Sequence, residues 1–350
     1  MRTALSIVFV FGLMIMVHEL GHFLVAKKSG IKVLEFSFGF GPKLLGYQGR
    51  ETLYAWRLVP LGGFVRLYGM DAEVDENGVE RIAPADDEHS YMHKTVWRRM
   101  AVIAAGPLMN FVLAVVLFVA MGIPTMGTGN TVGSLLPGNP AEKAGIMAGD
   151  RIVAIDNEPI ANWTALTEVI HAKPDQSLQI TVERNGQRRT IQVTTTKDSQ
   201  TNYGMIGIYP SIFYQHFPLT NTIKFGLTQT VDFTRAIVVA LVQMITRKIP
   251  ADLGGPVAIG NAIGQAAQQG WHDTLGLTGM LSIQLGLLNL FPIPALDGSR
   301  LVFLLVEGIR RKPINPEKEN LVHLVGFVLL LALMLAVTYH DIVSLFVKAG

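Results

Sequence analysis

Three stretches of the chain are apolar over enough residues to cross about 30 Å of hydrocarbon, and the N-terminus supplies a fourth span. Residues 4–17 are uncharged, and the pattern predicts a helix that continues to about Ala26; residues 101–123, 274–296 and 321–339 are the other three. A fifth stretch, residues 222–246, is apolar only from Ala236 to Thr246, with Asp232 and Arg235 before it and Arg247 and Lys248 after it. It is predicted to lie at the interface or packed on the bundle. Between the second span and that helix, from about Thr128 to Lys197, the pattern becomes that of a small soluble domain. Residues 132–136 and 151–156 read as short strands, and residues 164–171 as a helix after the capping residue Asn162. Residues 178–183 and 190–193 flank Asn185-Gly186, a strong hairpin signal. Residues 33–40 and 52–67 read as strand segments of a small sheet, the second interrupted by Pro60-Leu61-Gly62-Gly63, and the acidic residues 71–90 as a solvated loop.

A mean hydropathy of +0.36, with 49% hydrophobic and 16% charged residues, belongs to an integral membrane protein. The fold class expected is therefore a membrane α-helical bundle of four transmembrane helices, with a membrane-associated β-hairpin region and an external α+β domain. The expected division is 1–127 (first two spans and the β loop), 128–200 (soluble domain), 201–260 (its C-terminal segment and the interfacial helix) and 261–350 (last two spans). The net charge of +2 is spread through loops and points to no nucleic-acid partner. The absence of cysteine excludes disulfides and thiolate metal sites.

Basic residues set the orientation. Lys27, Lys28 and Lys32 follow the first span, Lys94, Arg98 and Arg99 precede the second, and Arg300, Arg310, Arg311, Lys312 and Lys318 lie between the last two. Both loops are expected in the cytoplasm, with both termini extracytoplasmic. The first span could pass for a signal peptide with Arg2 as its basic end, but no small-x-small cleavage site follows it.

Chemistry enters at His18-Glu19-Leu20-Gly21-His22, the H-E-x-x-H pattern of zinc peptidases inside an apolar stretch. On a helix, His18 and His22 share one face and Glu19 stands beside them. With 9 histidines in 350 residues, chance produces this pattern in about one such chain per hundred. Ionisable groups inside a span cost about 2.5–3.5 kcal/mol each on insertion scales, and a metal ion supplies the compensation. A catalytic zinc takes three protein ligands and keeps a fourth position open. Asp297 is the preferred third ligand. It closes the third span on the same side, just after Pro292 and Pro294, which break the helix and free backbone to line a cavity. His323, near the start of the last span, is the second choice. An ion path lined by Asn110, Asn289 and Asp297 is the competing class, but no inverted repeat is visible, and transport gives no reason for the His-Glu-His spacing.

Two resemblances follow from these residues. Pro137-Gly138-Asn139-Pro140-Ala141, Ala144-Gly145, Gly149-Asp150-Arg151-Ile152 and the strand to Asp156 make residues 128–197 similar to a PDZ domain of bacterial membrane proteases. Over nearly its whole length the chain resembles the site-2 protease family of intramembrane zinc metalloproteases, in the RseP-like branch. The H-E-x-x-H carries that likeness, with Gly39-Phe40-Gly41-Pro42, Pro60-Leu61-Gly62-Gly63, Ala105-Gly106-Pro107, Asn110 and the run from Asn289 to Gly298 through Pro292, Pro294 and Asp297. The resemblance implies that His18, His22 and Asp297 hold Zn2+, that Glu19 is the catalytic base, and that Asn289, Pro292, Pro294 and Asn110 meet substrate. It also implies a metalloendopeptidase of the plasma (inner) membrane whose partners are the lipid bilayer and single-span membrane proteins. These would be anti-sigma factors or signal-peptide remnants, cut within or near the membrane as the second step of regulated proteolysis. Enterobacterial relatives carry tandem PDZ domains; here there is room for one.

Overall fold

The computed structural model describes residues 2–70, 73–74, 80–81, 87–126, 130–198, 202–215, 218–248, 254–312 and 316–349. It divides into two compact units, Met1–Met121 with Pro218–Gly350, and Gly122–Phe217.

The first unit is built on α1 (Arg2–Lys28) and α2 (Val96–Met121), antiparallel helices that approach closely at Gly21. Gly21 makes that closeness possible, because a Cβ there would run into the Ala105 carbonyl. Pro107 lies inside α2 and removes one backbone donor, which a helix surrounded by partners tolerates. Between α1 and α2 run β1 (Val33–Gln48) and β2 (Leu53–Leu67). β2 folds back at Pro60-Leu61-Gly62, so residues 35–38 of β1 face both 63–66 and 53–56 of β2, while residues 43–48 pair with 53–57. Residues 63–67 therefore form one edge of a curled sheet. Leu44, Leu45, Tyr47, Trp56 and Leu58 are exposed at its far end, an apolar surface suited to lipid. The acidic loop 71–90 lies largely outside the described residues. The parts described there include the short pair β3 (Glu73–Val74) and β4 (Glu80–Arg81).

The second unit opens with β5 (Ile123–Met126) and β6 (Val132–Leu135), followed by α3 (Pro140–Lys143), β7 (Arg151–Ile155), β8 (Glu158–Pro159) and α4 (Trp163–His171). Asn162 caps α4 by accepting from Ala165 N at 2.9 Å. β9 (Ser177–Arg184) and β10 (Gln187–Thr194) join through Asn185 and Gly186, both at positive φ, as a two-residue hairpin turn requires. These strands form a four-stranded sheet in the order β10-β9-β7-β8 over a core that includes Ile152, Ile155, Leu166, Leu178 and Ile180. This is the mixed α/β unit that the turn residues predicted. β11 (Thr196–Lys197), β12 (Gly204–Met205), β13 (Ile208–Pro210) and β14 (Ile212–Gln215) follow, with β13 paired to β6 and β14 to β5. The unit thus runs to Phe217 and takes in these C-terminal strands. Strands of two to four residues carry no readable alternation.

The chain then returns to the first unit as α5 (Leu219–Ile245), α6 (Pro256–Gln269), α7 (Trp271–Leu290), α8 (Asp297–Arg310) and α9 (Pro316–Ala349). Among the described residues, four helices are long and apolar enough to cross a membrane: α1, α2, α5 and α9. The number agrees with the sequence expectation, but the set differs. α5, expected at the interface, meets the length and apolarity of a span, whereas α7, expected as the third span, does not. α7 turns Thr274, Thr278, Ser282 and Asn289 inward, where they are buried, and this lowers its hydropathy without exposing polarity to lipid. Its helix also stops at Leu290 instead of running to residue 296.

Candidate metal centre and active site

α1 offers His18 and His22 one turn apart, both buried. The third member arrives across the helix break. Pro292 and Pro294 cannot continue α7, Ile293 N donates to Phe291 O, and Ala295 adopts φ 74°, so the chain makes a tight turn before α8 begins. Gly298 lies so close to the Leu290 and Phe291 carbonyls that no side chain fits there. Asp297 then starts α8, where a carboxylate is favoured by the helix dipole.

The distances among the three groups suit one metal ion. His18 Nε2 and His22 Nε2 are 3.0 and 3.4 Å from Asp297 Oδ2 and 3.2 Å from each other. Donors about 2.0–2.1 Å from a common centre at tetrahedral angles are themselves about 3.3 Å apart. Two imidazoles and a carboxylate are also the chemical set that zinc prefers when no thiolate is present. The cluster therefore fits Zn2+. Glu19 does not join it among the described residues. Its side chain packs instead toward the sheet edge, where a Cβ on Gly63 would sit 3.4 Å from Glu19 Cγ and the Val65 amide hydrogen-bonds the carboxylate.

α2 contributes no ligand but shapes the centre. The Val102 carbonyl accepts from His22 Nδ1 at 2.8 Å, which leaves the Nε2 lone pair free. Gly106 stands where any Cβ would strike both imidazoles. Arg99, buried near the start of α2, forms a two-pronged ion pair with Glu307 of α8, the helix that carries Asp297. Residues 99 and 307 are too distant in sequence for any local pattern to have paired them.

The remaining expected residues fall around this centre. Asn289 is buried at the end of α7, and Pro292 and Pro294 line the turn. Asn110 is 0% exposed with its amide beside His18, so it meets α1 and not an open surface. His323 stays out of the cluster; its Nδ1 accepts from Ala295 N at 3.2 Å and so braces the turn that precedes Asp297.

Comparison with known proteins matches this architecture. The model of peptidase family M50 matches residues 6–333. The zinc metalloprotease RasP of Geobacillus kaustophilus is 36% identical, with 99% of each chain covered. The regulator of sigma-W protease RasP of Bacillus subtilis is 33% identical, also with 99% of each covered. Among solved structures, the PDZ domain of an SdrC-like protein from Listeria monocytogenes matches 25% of this chain and 90% of its own at 22% identity and a TM-score of 0.22. With its helix-borne His-His-Asp centre, the chain belongs to peptidase family M50 and is an intramembrane zinc metalloendopeptidase.

Proposed function

We propose that the enzyme cuts single-span membrane proteins within or near their apolar segment, as the second step of regulated intramembrane proteolysis. The observation that carries this reading is a three-donor centre whose two histidines sit in a helix apolar enough to span the bilayer. His18, His22 and Asp297 hold the metal, and zinc, when bound, supplies a Lewis acid that acidifies water and polarises a peptide carbonyl. Glu19 accepts the proton of the attacking water and returns it to the departing amine. A membrane helix hides its peptide groups in its own hydrogen bonds, so the substrate must unwind and find new partners. The edge formed by residues 63–67 borders Glu19 and takes the unwound segment as an added strand. Asn289 and the Pro292–Pro294 turn close the other side. The fitting substrates are anti-sigma factors, as the name of the Bacillus subtilis relative supports, or signal-peptide remnants.

The orientation proposed has the centre toward the cytoplasmic half of the plasma (inner) membrane, with the start of α1 and the end of α9 outside. Lys27, Lys28, Lys32, Lys94 and Arg98 gather at the end of α1 and the start of α2, which supports it. α6 packs along the first turns of α1, with Gly260 beside Ile7 and Gly264 beside Thr3, and this supports an α7 that starts on the outer side. Reconstituted enzyme with a single-span model substrate provides the test. The parent chain should cut within the apolar segment and Glu19→Gln should not; cleavage confined to soluble loops would refute the proposal.

A further inference from the structure

Val102, Gly106 and Asn110 recur every four residues and so share one stripe of α2. That stripe faces the His18–His22 stripe of antiparallel α1, with Val102 opposite His22, Asn110 opposite His18 and Gly106 between them. A neutral imidazole has one donor and one acceptor nitrogen, and Nε2 offers a lone pair to a metal only when the proton sits on Nδ1. At His22 a backbone carbonyl, which can only accept, enforces that tautomer. At His18 the facing group is the Asn110 amide, 3.2 Å from Nδ1. The amide nitrogen is turned toward the ring, and the fully buried Oδ1 has no hydrogen-bond partner. An acceptor left buried without a partner destabilises the fold. A half-turn of the amide brings Oδ1 to His18 Nδ1 and supplies the acceptor that the metal-binding tautomer needs. The backbone at this point is fixed, since Ser282 Oγ of α7 donates to the Asn110 carbonyl at 2.8 Å and a Cβ on Gly286 would lie 3.3 Å from Asn110 Cβ.

We infer that Asn110 is a positioning residue of the metal centre, whose side-chain oxygen accepts the Nδ1 proton of His18 and so aims Nε2 at the zinc. The inference rests on the reading of His18, His22 and Asp297 as ligands. It is tested by chelator competition on the full chain in detergent, which gives the zinc dissociation constant without reference to activity. Asn110→Leu, similar in size but without an acceptor, should weaken zinc binding about 10–100-fold. Asn110→Asp, which keeps an acceptor at the same point, should recover most of that loss. A third measurement needs no substitution and so stands even if the leucine variant fails to fold. In zinc-loaded parent chain labelled with 15N-histidine, His18 should carry a hydrogen-bonded proton on Nδ1. A folded leucine variant that holds zinc as tightly as the parent, an aspartate variant as weak as the leucine one, or a His18 bound through Nδ1 would each overturn the inference. A parent chain that retains no zinc would overturn the ligand reading as well, whereas tight zinc in both parent and leucine variant removes only the role of Asn110.

Discussion

Replacing Gly106 with alanine adds one methyl group at the point where α2 passes the imidazoles. The new carbon would lie 2.5 Å from His22 Cε1 and 2.9 Å from His18 Nε2, and nearer still to His22 Nε2, against about 3.5–4.0 Å for a comfortable carbon contact. In an unconstrained helix the change would stabilise by about 1 kcal/mol, because glycine is the poorer helix former. Here overpacking opposes it by about 1–3 kcal/mol, so the net loss of stability is about 2 kcal/mol at most and the chain still folds. The metal centre has less tolerance, since a ligand set must be held within about 0.5 Å of its working geometry. The expected outcome is a folded protein that purifies with little zinc and cuts substrate at least about tenfold more slowly, an effect of the size seen when the groups orienting metal ligands are lost. Elemental analysis per chain, thermal unfolding in detergent and cleavage of a single-span substrate report the three quantities separately. A Gly106→Ala variant with one tightly held zinc and parental activity would refute the idea that the bare backbone at residue 106 makes room for the site.

Other expectations follow from single contacts. Glu19→Gln should keep its zinc and lose about 10²–10⁴-fold in turnover, measured on a model substrate. Asp297→Asn should lower zinc content and activity together, whereas His323→Ala should leave zinc bound, because His323 contacts the turn and not the cluster. Glu307→Ala leaves Arg99 buried without its partner and should cost about 3–5 kcal/mol, read as a lower unfolding temperature of the full chain. In the Gly122–Phe217 unit, burial works against the Asp150 charge, but hydrogen bonds from Arg184 at 2.7 Å and from Met147 N outweigh it and hold the carboxyl below its ordinary value of 3.8. A depressed folded-state pKa contributes stability that is complete above about pH 4 and fades as pH falls below it. Asp150→Asn should flatten that acid-side loss, measured by hydrogen exchange of the unit within the full chain.

The sequence was most legible where one residue type answers one local demand. His18 and His22 need only helical spacing, Asn162 only the start of a helix, and Asn185-Gly186 only a two-residue turn. Asp297 was legible because two prolines mark the break that delivers it. The α2 residues were recognisable as a motif, yet their task was hidden. Gly106 and Asn110 act on groups 84 or more positions away, and nothing local to α2 tells a glycine that clears imidazoles from one that merely packs. The exchange between α5 and α7 has a simple cause. Hydropathy measures what lipid would accept, and a helix enclosed by others, such as α7, is released from that demand, while α5 with its exposed apolar face is not.

The most direct test of the account is zinc-edge X-ray absorption on the purified chain, compared with His18→Ala and Asp297→Ala. The expected result is one zinc per chain with two imidazole nitrogens and oxygen donors at about 2.0–2.2 Å, and loss or rearrangement of that spectrum in both variants. A chain without zinc, or a spectrum that neither substitution alters, would contradict it.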